Sequence, residues 1–414
     1  MFCQPGQHKK KRKKKKPERK TTDDHKKKTV RLHTATHKPH TTPHNHSSNS
    51  NIRTNHNFHF YSLFLDDTVP INSAPRILNH ILKHTISNTI PSKTIMTSLA
   101  TKQDITIGVI GGSGFYKFEG FTAEAELNIN TPFGPTSSPI TVGTIAGSKV
   151  AFLARHGIGH IYNPSEVPYK ANIYAMKTLG VKFLISASAV GSLREDIKPG
   201  EFVVLDQLID KTFARPSTFF EKGIVGHVGF GFPFCDVIRN ALKESCAEAD
   251  VSFHPDGCYV NMEGPQFSTK AESLLHKNIF GAAVIGMTQM TEARLAREAE
   301  ISFGVLAMAT DVDSWSDAPH VTVEQVVATA MANVANAQKV VCLAIPKLAN
   351  YTGKKPDAQQ SLGGGGAVMT RRELIPAEAL LRLWPIVGDY YSDRKDEVDA
   401  LAKKRKAFQG LKYN

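Results

Sequence analysis

Two aspartates one residue apart, Asp311 and Asp313, follow the apolar run Phe303–Ala309 in the stretch ATDVDSW. In extended chain, side chains two apart point the same way. The pair therefore presents two carboxyl groups side by side where a buried strand gives out. A metal would need further carboxylates or histidines close by, and no such cluster is evident in the sequence. A purine needs only the two. When a purine leaves a sugar, negative charge collects on the ring and N7 must take a proton. A partly buried carboxylic acid, its pKa raised by desolvation, can supply it. A second carboxylate accepts hydrogen bonds only, so it suits an exocyclic amino group and repels a carbonyl oxygen. Two aspartates thus favour adenine over hypoxanthine or guanine.

Other strand ends carry groups that could hold an anion. GGSGFY (111–116) offers a glycine turn with backbone N–H groups and the hydroxyl of Ser113. ARHG (154–157) places Arg155 and His156 after another strand, and a guanidinium fork matches phosphate. SASAVGS (186–192) ends a third strand in small hydroxyl residues, and GMTQM (286–290) ends a fourth with Met287 and Thr288. Alone, each has a plain reading as a tight turn, surface decoration or close packing. Together they read as a phosphate cradle, because open α/β sheets bind ligands at strand ends.

The elements that must position these groups alternate. Strand patterns lie at 105–112, in a hairpin at 140–157 turning near Ala146-Gly147-Ser148, and at 182–191, 201–210, 282–288 and 302–310. Helical patterns lie at 165–179, 236–249, 268–279, 290–300 and 321–345. Strands alternating with helices indicate an α/β fold: one domain with a central mixed β-sheet flanked by helices, over residues 101–350. YTGKKPDAQQSLGGGG (351–366) reads as a linker, and 376–387 as a terminal helix within a C-terminal segment running to 414.

The net charge of +13 is unevenly placed. Lys and Arg outnumber Asp and Glu by 19 to 5 in residues 1–95, and stand at 32 to 33 over the remainder. The basic character belongs to a His-, Asn- and Ser-rich leader, residues 1–100, read as disordered because it has little to bury. Its KKKRKKKKPERK run could act in nuclear import or bind nucleic acid weakly, but a solvated tail is the preferred reading. Five cysteines in no metal-binding spacing, no secretory signal and no apolar stretch of spanning length lead to an intracellular, cytoplasmic expectation with no membrane partner.

From Ile105 to Pro346 the chain resembles the nucleoside phosphorylase family. The motifs are IGVIGGSGFY, TPFG, FLARHG, NPSEVPYKANIYAMK, SAVGSLREDIKPGEFVVLDQLIDKT, EGPQFST, GMTQMTEARLAREA and ATDVDSW, in collinear order. The resemblance implies phosphate-dependent cleavage of S-methyl-5'-thioadenosine to adenine and S-methyl-5-thio-α-D-ribose 1-phosphate, in methionine and purine salvage. It implies no metal or organic cofactor, with phosphate as co-substrate, and a homotrimer. Carried over by motif, Ser113, Arg155, His156, Ser188, Ala189 and Thr288 hold phosphate, and Met287 lies under the ribose. Phe267 packs on the purine, with Ser268 and Val323 setting specificity. Asp311 serves N7 and Asp313 serves N6. Val323 and Val326 line the methylthio pocket, and His227 reaches over from a neighbouring subunit. Leu380 and Leu383 are candidates to close an adjacent subunit's pocket. Ser188 stands where threonine is expected, and Gly286 where animal members carry asparagine. The alternatives are a phosphorylase for 6-oxopurine nucleosides or methylthioinosine, and a nucleoside-binding protein without catalysis. A nicotinamide-dependent dehydrogenase would rest on the glycine loop alone and lacks the ribose-binding acid.

Overall fold

Apolar runs rich in β-branched residues become strands buried on both faces, as all five residues of IGVIG (107–111) are. The computed structural model describes residues 92–96, 105–112, 120–317, 322–363 and 366–410. Its strands are β1 (Ser92–Met96), β2 (Ile107–Gly111), β3 (Phe121–Thr131), β4 (Gly134–Pro135), β5 (Ile140–Ile145), β6 (Ser148–Ala154), β7 (Phe183–Ser192), β8 (Phe202–Val204), β9 (Gln207–Lys211), β10 (Phe253–His254), β11 (Cys258–Met262), β12 (Val284–Gly286) and β13 (Ser302–Val312). Its helices are α1 (Tyr169–Leu179), α2 (Asp236–Glu248), α3 (Lys270–Asn278), α4 (Gln289–Glu298), α5 (Val323–Ala349), α6 (Ala377–Val387) and α7 (Lys395–Gly410).

The strands form one mixed sheet in the order β1-β3-β5-β6-β2-β7-β12-β11-β9, with β13 paired to β7 and β8. β6, β2, β7 and β13 run parallel, so their C-terminal ends share an edge. β12 meets the end of β7 antiparallel, at Ile285↔Gly191 and Val284↔Ser192. Helices cover both faces. Tyr169 and Ile173 of α1, Leu295 of α4, and Leu380 and Leu383 of α6 pack with Ile110, Leu153 and Leu184 in one cluster. Ile238 and Leu242 of α2 and Val340, Val341 and Ile345 of α5 pack with Val109, Ile185 and Leu306 in the other. Each such side chain contributes about 1.5–3 kcal/mol when fully buried.

Several expectations change. The run 201–210 is two strands, β8 and β9, in different parts of the sheet. The chain breaks around Asp206, whose carboxylate accepts the Gly257 N–H at 3.1 Å. Ser92–Met96, inside the span assigned to the leader, is a strand parallel to β3. The rest of the leader, including the lysine run, lies outside the described residues. Residues 351–363 are tied to the body: Gln359 Nε2 donates to the Lys182 carbonyl and Ser302 Oγ, each at 3.1 Å, and Leu362 is buried. Leu380 and Leu383 are wholly buried in their own subunit's core, so they are not free to close a neighbour's pocket. Helix α5 is long and apolar enough to cross a bilayer, although no such stretch was expected. Its alanines and valines keep the average hydropathy high across the polar Gln338–Lys339 break, and its buried side face packs on α2 and β13.

Candidate active site

The two aspartates stand where expected, through a device the sequence did not announce. β13 follows β7 in register to Ala309↔Val190, then resumes at Asp311↔Gly191, leaving Thr310 as an extra residue. Such a bulge re-aims the side chains beyond it. Both carboxyl-bearing residues then crowd over Gly191. A Cβ there would come within 3.2 Å of Asp311 Oδ2 and 3.4 Å of Asp313 Cβ, so a side chain at 191 would press the aspartates aside by a few tenths of an ångström.

The two carboxyls differ in surroundings. Burial raises the Asp311 carboxyl to a pKa of about 6, the Asp313 charge adds to this, and a 2.7 Å bond from Thr310 Oγ1 opposes it. A group poised there is an acid near neutral pH. Asp313 is nearly buried, and Ser273 Oγ donates to its Oδ2. Ser273 is positioned by α3, which a Thr269/Glu272 capping box starts. The serine takes one of the lone-pair sites on Oδ2 and leaves the others as acceptors for a ligand.

Arg155 directly follows β6, its N–H bonded to the Gly111 carbonyl at 3.0 Å. Its guanidinium is buried against Glu292 of α4, with Nε 2.5 Å from Oε1, and also bonds Ser186 Oγ and, at 3.1 Å, the Ala187 carbonyl. Burial lowers the Arg155 pKa, but the charge and hydrogen bond of Glu292 outweigh it and the net direction is up. Arg155 is thus a fixed cation already neutralised by a carboxylate, not the free fork expected. Nη1 faces the Gly112 loop, 3.5 Å from where a Cβ would sit.

His156 pairs its Nδ1 with the Tyr162 carbonyl at 2.9 Å. A carbonyl only accepts, so Nδ1 carries the proton. Burial first, then the Arg155 charge, push the imidazole down to a pKa of about 3. The ring is neutral and its Nε2 is a lone-pair acceptor, suited to a phosphate oxygen that still holds a proton. Ser188 is buried, with only a long 3.3 Å bond from Oγ to the Ala189 carbonyl. Ala189 is exposed although it lies within β7, which marks an opening beyond the end of β2. Thr288 precedes α4. Its Oγ1 accepts from Gln289 Nε2 at 3.0 Å, which leaves the hydroxyl proton to donate. β12 and β7 pair antiparallel at Ile285↔Gly191, so Met287 and Thr288 leave β12 just beyond the strand end that carries Ser188 and Ala189. Ser113 lies outside the described residues.

Of the other residues carried over by motif, Met287 is half-buried with its thioether over Gly264. Phe267 is 48% exposed, and Ser268 is buried with its hydroxyl 3.8 Å from Met262 Sδ. Val323 is exposed at the start of α5 and Val326 is half-buried. His227 lines a cavity of about 430 Å³ with Thr218, Phe220, Phe230, Arg294 and Glu298. At Gly286 the structure explains the missing side chain: a Cβ would fall 2.3 Å from Tyr259 Oη, which accepts the Thr288 N–H at 3.2 Å. Sequence reasoning missed Glu292, Ser186, Ser273 and Tyr259. Glu292, inside GMTQMTEARLAREA, and Ser186, the first residue of SASAVGS, carried a signal; Ser273 and Tyr259 lie in none of the motifs. Among the described residues no three His, Cys, Asp or Glu side chains converge as a metal site.

An acid poised for a departing base, beside donors and a lone-pair acceptor for a phosphate, defines a class: enzymes that cut a glycosidic bond with phosphate. The chain belongs to the Phosphorylase superfamily, which it matches over residues 106–346. It is 49% identical over 290 residues to the S-methyl-5'-thioadenosine phosphorylase of Chloroflexus aurantiacus, a match covering 69% of this chain and 99% of that one. It is 47% identical over 296 residues to the enzyme of the same name from Synechocystis, covering 70% and 90%. Among solved structures, a methylthioadenosine phosphorylase from an antarctic soil metagenomic library matches with a TM-score of 0.65 and 42% identity, covering 69% of this chain and 99% of that one. The Schistosoma mansoni methylthioadenosine phosphorylase bound to tubercidin matches with a TM-score of 0.57 and 33% identity, covering 60% and 93%.

Proposed function

We propose that this protein cleaves S-methyl-5'-thioadenosine with inorganic phosphate, releasing adenine and S-methyl-5-thio-α-D-ribose 1-phosphate. The observation that carries the reading is the unequal aspartate pair: an acid tuned to about 6 beside a carboxyl whose second oxygen a serine already holds. Phosphate, gathered by Ser113, His156, Ser188 and Thr288 above the Arg155 cation, attacks C1'. The C1'–N9 bond breaks and its electron pair enters the purine. Asp311 gives its proton to N7, and Asp313 accepts from N6. The fixed donors meet an anion that is already in place, so little reorganisation accompanies the step. Phosphate is a co-substrate, and the scheme draws on no metal or organic cofactor.

The curated relatives named for this reaction support the substrate assignment. We assign the protein to the cytosol, with the basic leader as a route to the nucleus. Its free thiols at Cys235, Cys246, Cys258 and Cys342 suit a reducing compartment. A homotrimer in which the loop carrying His227 reaches a neighbouring subunit fits the large apolar side chains left exposed, among them Phe213 and Phe232, 86% and 81% accessible. Competition between methylthioadenosine and methylthioinosine tests the base assignment. The amino substrate is expected to win by at least tenfold in kcat/KM, and preference for the oxo substrate would overturn it.

A further inference from the structure

The Arg155 network serves the phosphate side of the pocket. A second buried arginine, Arg215, serves the other side and appears in none of the motifs read above. Its side chain is wholly inaccessible and pairs with Glu263, Nε to Oε1 at 2.8 Å. Nη1 donates to the Met287 carbonyl at 2.8 Å and to Tyr169 Oη at 2.9 Å, and Nη2 donates to the Glu263 carbonyl at 2.6 Å. Tyr169 in turn donates to the Pro164 carbonyl at 2.7 Å. Glu263 is itself saturated. Its Oε2 accepts the N–H groups of Phe213 and Ala214 at 2.8 and 3.1 Å, and Ser165 donates to Oε1. Burial would raise the Glu263 carboxyl, but hydrogen bonds from Ser165, Phe213, Arg215 and Ala214 hold it down at about 2.

One guanidinium therefore joins four chain segments that are remote in sequence: the 163–169 turn, its own loop, the Glu263–Phe267 loop and the β12 exit at Met287. The last two are those that would meet the sugar and the base. They also touch each other, because the Met287 thioether fills the space where a Gly264 side chain would be, 2.4 Å from its Cβ position. The Arg155 network bonds Glu292, Ser186 and Ala187, and no hydrogen bond of Arg215 goes to any of these.

We infer that Arg215 is a positioning residue for the nucleoside, fixing Met287 and the Phe267 loop as one surface without touching substrate. The inference rests on the functional reading above. Lysine at 215 keeps the charge facing Glu263, but one ammonium cannot fork across two carbonyls, a phenol and a carboxylate. In Arg215→Lys, KM for methylthioadenosine rises about ten- to a hundredfold, the range expected for losing one or two charge-assisted hydrogen bonds. KM for phosphate rises less, because the Arg155 network shares no hydrogen bond with Arg215 and the phosphate side is reached only through Thr288, which follows Met287.

The test is steady-state kinetics of the full chain with each substrate varied at saturating levels of the other, for wild type, Arg215→Lys and Tyr169→Phe. Tyr169→Phe removes one arm of the fork and leaves the ion pair, so a smaller rise in KM for methylthioadenosine, again exceeding that for phosphate, is expected. It decides the question if the lysine variant fails to fold. Equal rises in both KM values, or no rise in either variant, would mean that Arg215 only holds the scaffold together. Wild type that releases no adenine from methylthioadenosine would overturn the functional reading and this inference with it, and that outcome is separate from a change in the ratio of KM values.

Discussion

Replacing Asp311 by asparagine separates what the carboxyl does for catalysis from what it costs the fold. The native carboxyl lies at about 6 against an ordinary 3.8, chiefly through burial. At pH 7 that leaves about one molecule in ten protonated, against roughly one in a thousand for an unperturbed aspartate. The folded-state value is the higher one, so the contribution of Asp311 to stability is fully present below about pH 4 and is lost as pH rises through 6. A shift of about two units corresponds to about 3 kcal/mol. Asparagine does not titrate. Relative to wild type, Asp311→Asn should therefore gain about 3 kcal/mol between pH 4 and pH 7.5, or roughly 5–10 °C in Tm. Turnover should fall about 10²- to 10⁴-fold for want of the acid, and the alkaline limb of kcat/KM, set near pH 6 in wild type, should flatten. Thermal unfolding at both pH values and a pH–rate profile make the assay. A stability difference that does not change with pH, or near-normal turnover, would refute the reasoning.

Arg155→Ala leaves Glu292 buried and unpaired, so a loss of about 3–5 kcal/mol in denaturant unfolding is expected. The double variant Arg155→Ala/Glu292→Gln should recover part of it; equal losses would show that the pair is not coupled. Asp313→Asn gives the N6 position a donor in place of an acceptor, so selectivity should shift toward methylthioinosine by about tenfold or more. An unchanged substrate ratio counts against the acceptor role of Asp313.

Local signals carried much of the fold. The hairpin turn was legible because Gly147 suits one of the two positive-φ positions that the turn needs; Ala146 takes the other against its own preference. β13 announced itself as a run of small and β-branched residues, and the Asp311/Asp313 spacing told which strand end mattered. Long-range pairing was not legible. Nothing in the periodicity around Arg155 points to Glu292, 137 residues on, nor does RPST around Arg215 point to Glu263. The Thr310 bulge depends on the register between two strands, which one sequence does not display. Residues 351–363 read as a linker because they bind the body through side-chain amides and turns and have no apolar stripe.

The central claim is that phosphate, not water, takes the sugar while Asp311 releases the base. Adenine release from S-methyl-5'-thioadenosine, followed with and without inorganic phosphate, measures this directly. Adenine should appear only with phosphate, one phosphate consumed for each adenine and the pentose recovered as its 1-phosphate. Release at the same rate without phosphate, or no release in either case, would contradict it.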